Sequence, residues 1–293
     1  MSLQHSPLIR VAVLPVLRRL LGRHRPTALV IGGGKGGTTS LYHYLEQHPQ
    51  VLSTKGKELD FFNGNLNYEK GLVHYHNQFR LKLPFSKKVS FDISPGYLTA
   101  AKLAAPRIYK YNPNIKLIAL FRNPIACAYS KWNMQKRYWA ESKTFWLDYR
   151  KDIWSADQLS KAIPRGPDFG RDFVQDILED LKWMKEGKYP QFPFIAPTCY
   201  FTHLQEYYKL FPCDHIRVFK SEAFFQDPAR VLNEIESYVG ISPHDWSQTD
   251  FDPVNVGNYE DEISPEARKL LMEIFEPEVR SLEALTKINF AWF

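Results

Sequence analysis

Between Ile31 and Leu41 the chain reads IGGGKGGTTSL, with five glycines, one lysine, two threonines and a serine in the turn after an apolar run. Glycines let backbone amides approach an anion closely, and a helix start offers further unpaired N–H groups. Lys35 adds a positive charge, and the Thr38, Thr39 and Ser40 hydroxyls add donors. The turn is therefore built to hold a phosphate, and three chemistries compete for it. Gly32, Gly34 and Gly37 satisfy G-x-G-x-x-G, but a dinucleotide site needs an acidic residue at the end of the next strand. Glu58 and Asp60 stand near that distance, after only a short apolar run and beside two lysines. A Walker loop places lysine directly before the hydroxyl that holds magnesium, whereas Gly36 and Gly37 intervene here. Asp92 is a stand-in for the second Walker element, so a nucleotide kinase or triphosphatase stays as an alternative.

A second group lies in KLIALFRNPIACAYSKW, residues 116–132. An apolar run ends at Arg122, Pro124 opens a helix, and Ser130 falls about two turns in. Arginine presents a planar fork to phosphate, and a serine on the following helix can reach the same group across the strand's carboxyl end.

These residues need elements to hold them. Apolar runs at 28–32, 88–94, 116–121 and 216–221 predict strands, and helical spacing at 39–47, 100–111, 125–136 and 199–211 falls between them. Such alternation predicts an α/β fold, with a central, mostly parallel sheet flanked by helices. A serine and a proline at 264–265 open a C-terminal helical run. Residues 139–198, rich in aromatics, lysine, proline and aspartate, carry one clear helix at 173–185 and read as an acceptor-side insertion on one domain covering 1–293.

Taken together, the segments resemble the sulfotransferases that use 3′-phosphoadenosine 5′-phosphosulfate (PAPS), particularly the branch of heparan-sulfate and other carbohydrate sulfotransferases. The resemblance implies a P-loop-like three-layer fold. It makes Lys35, Gly36, Gly37, Thr38, Thr39 and Ser40 the 5′-phosphosulfate loop, and Arg122 and Ser130 the 3′-phosphate site. KGKELDFF at 55–62 is similar to the family segment that carries the general base, which makes Glu58 catalytic beside Lys35. VSFDISPGYL at 89–98 aligns with another family segment and suggests Asp92 and Tyr97 as substrate contacts, with Lys57, Trp132 and Trp139. Two departures from the family pattern stand out: Ile93 occupies a position where many relatives carry lysine, so that either Lys57 or another cation substitutes or the acceptor is handled differently, and Asp60 replaces a histidine. The basic loop that covers the cofactor in relatives corresponds to 253–268, where Gly257 and Tyr259 remain but lysine does not. The implied donor is PAPS and the implied product 3′,5′-adenosine bisphosphate. No metal is expected, because the nine histidines, His74 and His76 included, lack ligand partners at useful spacing.

Composition bounds the rest. With 293 residues, 44% hydrophobic, the chain can bury a large core, and a net charge of +6 favours an anionic partner. Cys127, Cys199 and Cys213 share no metal-like spacing, which favours a reducing, cytoplasmic compartment. The segment 8–25 reads as a basic amphipathic helix, too interrupted by Arg10, Pro15, Arg18 and Arg19 to span a bilayer, and it leaves a peripheral membrane contact open. The expected partner is a small-metabolite or saccharide acceptor, not nucleic acid. The expected protein is thus a soluble enzyme of bacterial type that sulfates a hydroxyl or amine, with a non-catalytic nucleotide- or glycan-binding relative as the other alternative.

Overall fold

Apolar runs without polar alternation need cover on both faces, and four of them pair as one parallel sheet. These are β1 (Ala28–Gly32), β2 (Phe91–Ile93), β3 (Lys116–Phe121) and β4 (Ile216–Lys220), in the order β2-β1-β3-β4. The computed structural model describes residues 22–82, 86–252, 254 and 262–293. Successive residues of the central strands enter opposite layers. Leu29, Ile31, Leu117, Ala119 and Phe121 join one apolar core, while Ala28, Val30, Ile118 and Leu120 join the other. The expected three-layer α/β architecture follows from that division.

The longer helices are α1 (Thr38–Leu45), α2 (Ala101–Tyr111), α3 (Pro124–Glu141), α4 (Phe173–Lys185), α5 (Tyr200–Tyr208), α6 (Pro228–Val239) and α7 (Pro265–Thr286). The starts of α3 and α7 match their sequence signals. Asn123 accepts N–H groups from Ile125 and Ala126 at 3.0 and 3.2 Å, and Ser264 accepts that of Ala267 at 3.2 Å. The expected strand at 88–94 shrinks to β2, because Val89 pairs instead with Val51 on the outer side. Helix α3 runs beyond the expected Lys136 to Glu141, so Trp139 lies in its last turns.

Residues 139–198 build a third core on this extended helix. Trp146, Phe169, Phe192 and Phe194 pack there with Ile125, Trp132 and Trp139 of α3 and with Leu271 and Phe275 of α7. Buried Arg165 ties the segment together. It pairs with Asp180 and Glu179 and donates to the carbonyls of Gln191 and Phe192, both at 3.0 Å. Most of the basic segment 8–25 lies outside the described residues, as do Gly257 and Tyr259. Among the described residues, no helix is long and apolar enough to cross a membrane.

Candidate active site

The glycine turn sits where β1 gives way to α1, at the carboxyl edge of the sheet and between neighbours β2 and β3. That is the crevice in which open parallel sheets place ligands. Gly37 caps α1 in the left-handed conformation, φ 96°, and no side chain caps the helix start. The first amides of α1 thus lack the side-chain acceptor that usually meets them, a place an anion fits. The amides of Gly33 and Gly36 are used inside the loop, donating to Leu120 O at 2.7 Å and Gly33 O at 3.0 Å. A side chain at Gly36 would bring Cβ to 2.5 Å from Leu120 O, so only glycine lets the loop close against β3. Gly36 therefore shapes the cradle, and its N–H is already occupied. Ser40 is likewise buried, its hydroxyl accepting the N–H of Val254 at 3.0 Å. Lys35 stands at the turn's outer bend with φ 69°, and Thr38 and Thr39 follow at the helix start.

Glu58 approaches from the segment between α1 and β2. Its amide donates to Ile93 O at 3.1 Å, its φ is 63°, and its carboxylate pairs with Lys57. A non-glycine residue held at positive φ is strained, and such residues concentrate at functional sites. Asp92 explains how the segment is held. Its carboxylate accepts hydroxyls from Tyr75 (2.8 Å), Tyr97 (2.6 Å) and Ser94 (2.7 Å). The hydroxyl oxygens of Ser94 and Tyr97 then accept the amides of Asp60 (3.2 Å) and Phe61 (3.1 Å). Asp92 and Tyr97, suggested as substrate contacts, are both wholly buried and hold the segment that follows Glu58.

Arg122 lies just past the carboxyl end of β3, half-buried, and makes no ion pair among the described residues. Ser130 follows on α3, buried. Between them, Cys127 donates its thiol to Gly34 O at 3.2 Å, fastening α3 to the glycine turn.

Lys35 and Glu58 line one cavity of about 370 Å³. Its wall contains Lys131, Met134, Gln135 and Tyr138 of α3, together with Phe145, Trp146, Tyr149, Arg150, Tyr189 and Phe192 of the inserted segment. Two expected acceptor contacts are not there. Trp132 is buried, donating to Asp176 at 2.7 Å, and Trp139 packs against Phe169 and Phe192 in the third core. Lys57 lines a neighbouring recess with Glu58, His74 and Gln78. Ile93 packs in the core with Val30 and Ile118. Lys131 and Arg150 are the cations that sequence reasoning missed. The signal for Lys131 was present in the spacing of 131, 134, 135 and 138, which marks one face of a helix.

Burial holds the amines of Lys35 and Lys131 below the ordinary lysine value, and Lys131 lowers Lys35 further. Burial raises the carboxyl of Asp60 to about 6, with Arg150 opposing and Glu58 reinforcing. Among the described residues, no group of three or more His, Cys, Asp or Glu side chains could share a metal ion. His76 instead hydrogen-bonds Tyr111 at 3.0 Å.

Comparison with known proteins agrees with this fold. The family model for the sulfotransferase domain matches residues 25–255. A membrane-associated sulfotransferase of Dictyostelium discoideum is 23% identical over 318 residues, covering 91% of this chain and 66% of the relative. The human heparan sulfate glucosamine 3-O-sulfotransferase 5 is 26% identical, covering 74% of this chain and 54% of its own length. The mouse bifunctional heparan sulfate N-deacetylase/N-sulfotransferase 4 is 27% identical, covering 78% of this chain and 24% of its own length. The chain thus spans between a quarter and two thirds of these relatives. Among solved structures, a sulfotransferase from Alicyclobacillus acidocaldarius shares the fold, with a TM-score of 0.64 and 22% identity over 92% of this chain and 98% of that one. The chain belongs to the sulfotransferase domain family, whose chemistry is the transfer of a sulfuryl group.

Proposed function

We propose that this protein transfers the sulfuryl group of PAPS to a hydroxyl or amine of a small acceptor held in the aromatic cavity. The observation that carries the reading is that Lys35, on the anion-shaped turn, and Glu58, the only carboxylate lining that cavity among the described residues, face the same space. Thr38 and Thr39 would bind the 5′-phosphate at the start of α1, and Arg122 and Ser130 the 3′-phosphate at the edge of β3. Gly257 and Tyr259 would also contact the cofactor.

In the reaction, Glu58 takes the acceptor proton with the carboxylate oxygen that does not face Lys57. The freed electron pair forms the bond to sulfur as the bond from sulfur to the bridging 5′-phosphate oxygen breaks. Lys35 offsets the charge that grows on that oxygen, and 3′,5′-adenosine bisphosphate leaves. No step requires a metal ion.

The cavity favours a compact acceptor. Six aromatic rings form its wall, and rings pack equally against the face of a sugar, an aromatic body or a cationic group. A small metabolite or a single saccharide unit fits 370 Å³. We read residues 1–293 as one sulfotransferase unit with 139–198 as its acceptor wall, and the free thiols of Cys127, Cys199 and Cys213 support a reducing, cytoplasmic setting.

The test is incubation with labelled PAPS and a panel of phenols, apolar alcohols, amines and monosaccharides, scored for sulfated product by mass. Glu58→Gln should lower turnover by roughly 100- to 10,000-fold. Undiminished turnover in that variant removes Glu58 from the base role.

A further inference from the structure

Resting on the PAPS reading, we propose that Lys131 is a catalytic residue that binds the sulfuryl oxygens of the donor. Three observations carry it. The first is placement. Lys131 projects from α3 into the cavity that Lys35 and Glu58 line, and its Nζ lies 2.8 Å from where a Cβ on Gly34 would stand. The glycine turn therefore leaves room for this ammonium to touch the loop, and Lys35 is the next residue along.

The second observation is isolation. Lys131 is 9% exposed, yet no carboxylate among the described residues comes within ion-pair distance of Nζ. A buried charge is costly unless it is paired. Burial pushes its amine down, Arg150 pushes the same way, and the nearby Cys127 and Glu58 act against them without bonding to it. Lys131 in turn lowers Lys35. Lys35 and Lys131 line the same cavity and neither has an ion-pair partner among the described residues, which suits a ligand that brings at least two negative charges.

The third observation concerns the other elements near the turn. Ile93 is committed to the core and Lys57 to Glu58, so neither offers a second cation above the turn. Lys131 supplies it from another element. As the acceptor oxygen bonds to sulfur and the bridging bond breaks, Lys35 follows charge on the leaving phosphate oxygen while Lys131 holds the three sulfuryl oxygens in place. Its neighbours 134, 135 and 138 on the same helix face touch the acceptor side, which sets Lys131 between donor and acceptor.

PAPS and 3′,5′-adenosine bisphosphate differ by the sulfuryl group alone, which makes the pair a direct probe. Titration calorimetry of the full chain should find that Lys131→Met weakens PAPS binding by roughly 10- to 100-fold, the span of a lost charge-assisted hydrogen bond. Bisphosphate binding should change by less than about threefold, which also shows that the variant is folded. With an acceptor from the panel, kcat should fall roughly 100- to 1,000-fold, as when one donor to a developing charge is removed. Lys131→Arg, which keeps a cation, should recover part of both losses. Equal weakening of the two nucleotides, or no weakening of either, overturns the assignment. If the wild-type protein binds neither nucleotide, the PAPS reading itself falls; if it binds both and Lys131→Met discriminates between them as well as wild type, only Lys131 loses its role.

Discussion

Asp60 offers a quantitative handle on the segment that carries Glu58. Its carboxyl is 3% exposed and accepts Asn63 Nδ2 at 2.7 Å and the more distant Tyr149 hydroxyl at 3.4 Å. Burial raises it from 3.8 to about 6, because the ionised form loses more hydration than these two donors and Arg150 return. A carboxyl raised in this way binds its proton more tightly folded than unfolded. Below pH 3.8 both states are protonated and the group is silent. Between 3.8 and about 6 only the unfolded chain ionises it, so stability falls as pH rises, and above 6 the loss is complete. At 1.36 kcal/mol per pH unit, the interval amounts to about 3 kcal/mol. Asp60→Asn keeps an oxygen for Asn63 and removes the ionisation. Other buried carboxyls raised by burial, Asp92, Asp176 and Asp180 among them, titrate in both proteins and cancel in the difference. Urea denaturation of wild type and variant at pH 4 and pH 7 should therefore show the variant gaining about 2.4 kcal/mol relative to wild type between the two conditions, since the unfolded carboxyl is already partly ionised at pH 4. A difference that stays constant within about 0.5 kcal/mol would refute a buried, proton-holding Asp60.

Two further perturbations separate anchoring from architecture. Arg122→Ala should weaken 3′,5′-adenosine bisphosphate by roughly 10- to 100-fold and leave 5′-AMP nearly unchanged, since the lost contact is with the 3′-phosphate; equal losses would place Arg122 elsewhere. Asp92→Ala should destabilise the fold by about 3–5 kcal/mol in chemical denaturation, because the hydroxyls of Tyr75, Tyr97 and Ser94 lose their shared buried acceptor. A cost under about 1 kcal/mol would mean that water replaces the carboxylate.

The sheet's centre was legible because β1 and β3 are apolar on both faces and end abruptly, at the glycine turn and at Arg122-Asn123-Pro124. The edge strand β2 was not, since an edge pairs on one side only and its flank found a different partner in Val51. In the site, motif spacing placed Lys35, Glu58, Arg122 and Ser130 on the elements that hold them. It could not say which way a helical residue points. One step along a helix turns a side chain by about 100°, so Trp132 enters the third core while Lys131 enters the cavity. Trp139, seven residues beyond Trp132, returns to the same buried face. Aromatic content alone had suggested the opposite assignment.

Asp92 and Tyr97 show what a motif match implies physically. Both residues align with the family segment, yet neither reaches the cavity, because the polar groups they satisfy belong to the chain itself. A buried carboxylate with three hydroxyl donors fixes the orientation of each, and a fixed hydroxyl oxygen fixes the amide that donates to it. The amides of Asp60 and Phe61 are held in this way, and Glu58 is tied two residues earlier to β2 by its own N–H. The strained φ of Glu58 persists because both sides of it are anchored. Glu58 and its support thus come from separate segments that must fold together, and the hydrogen bonds of residues 92, 94 and 97 go to the chain itself. By the same reasoning, a cation beside the turn need not come from β2: α3, fastened there by Cys127, brings Lys131 to it.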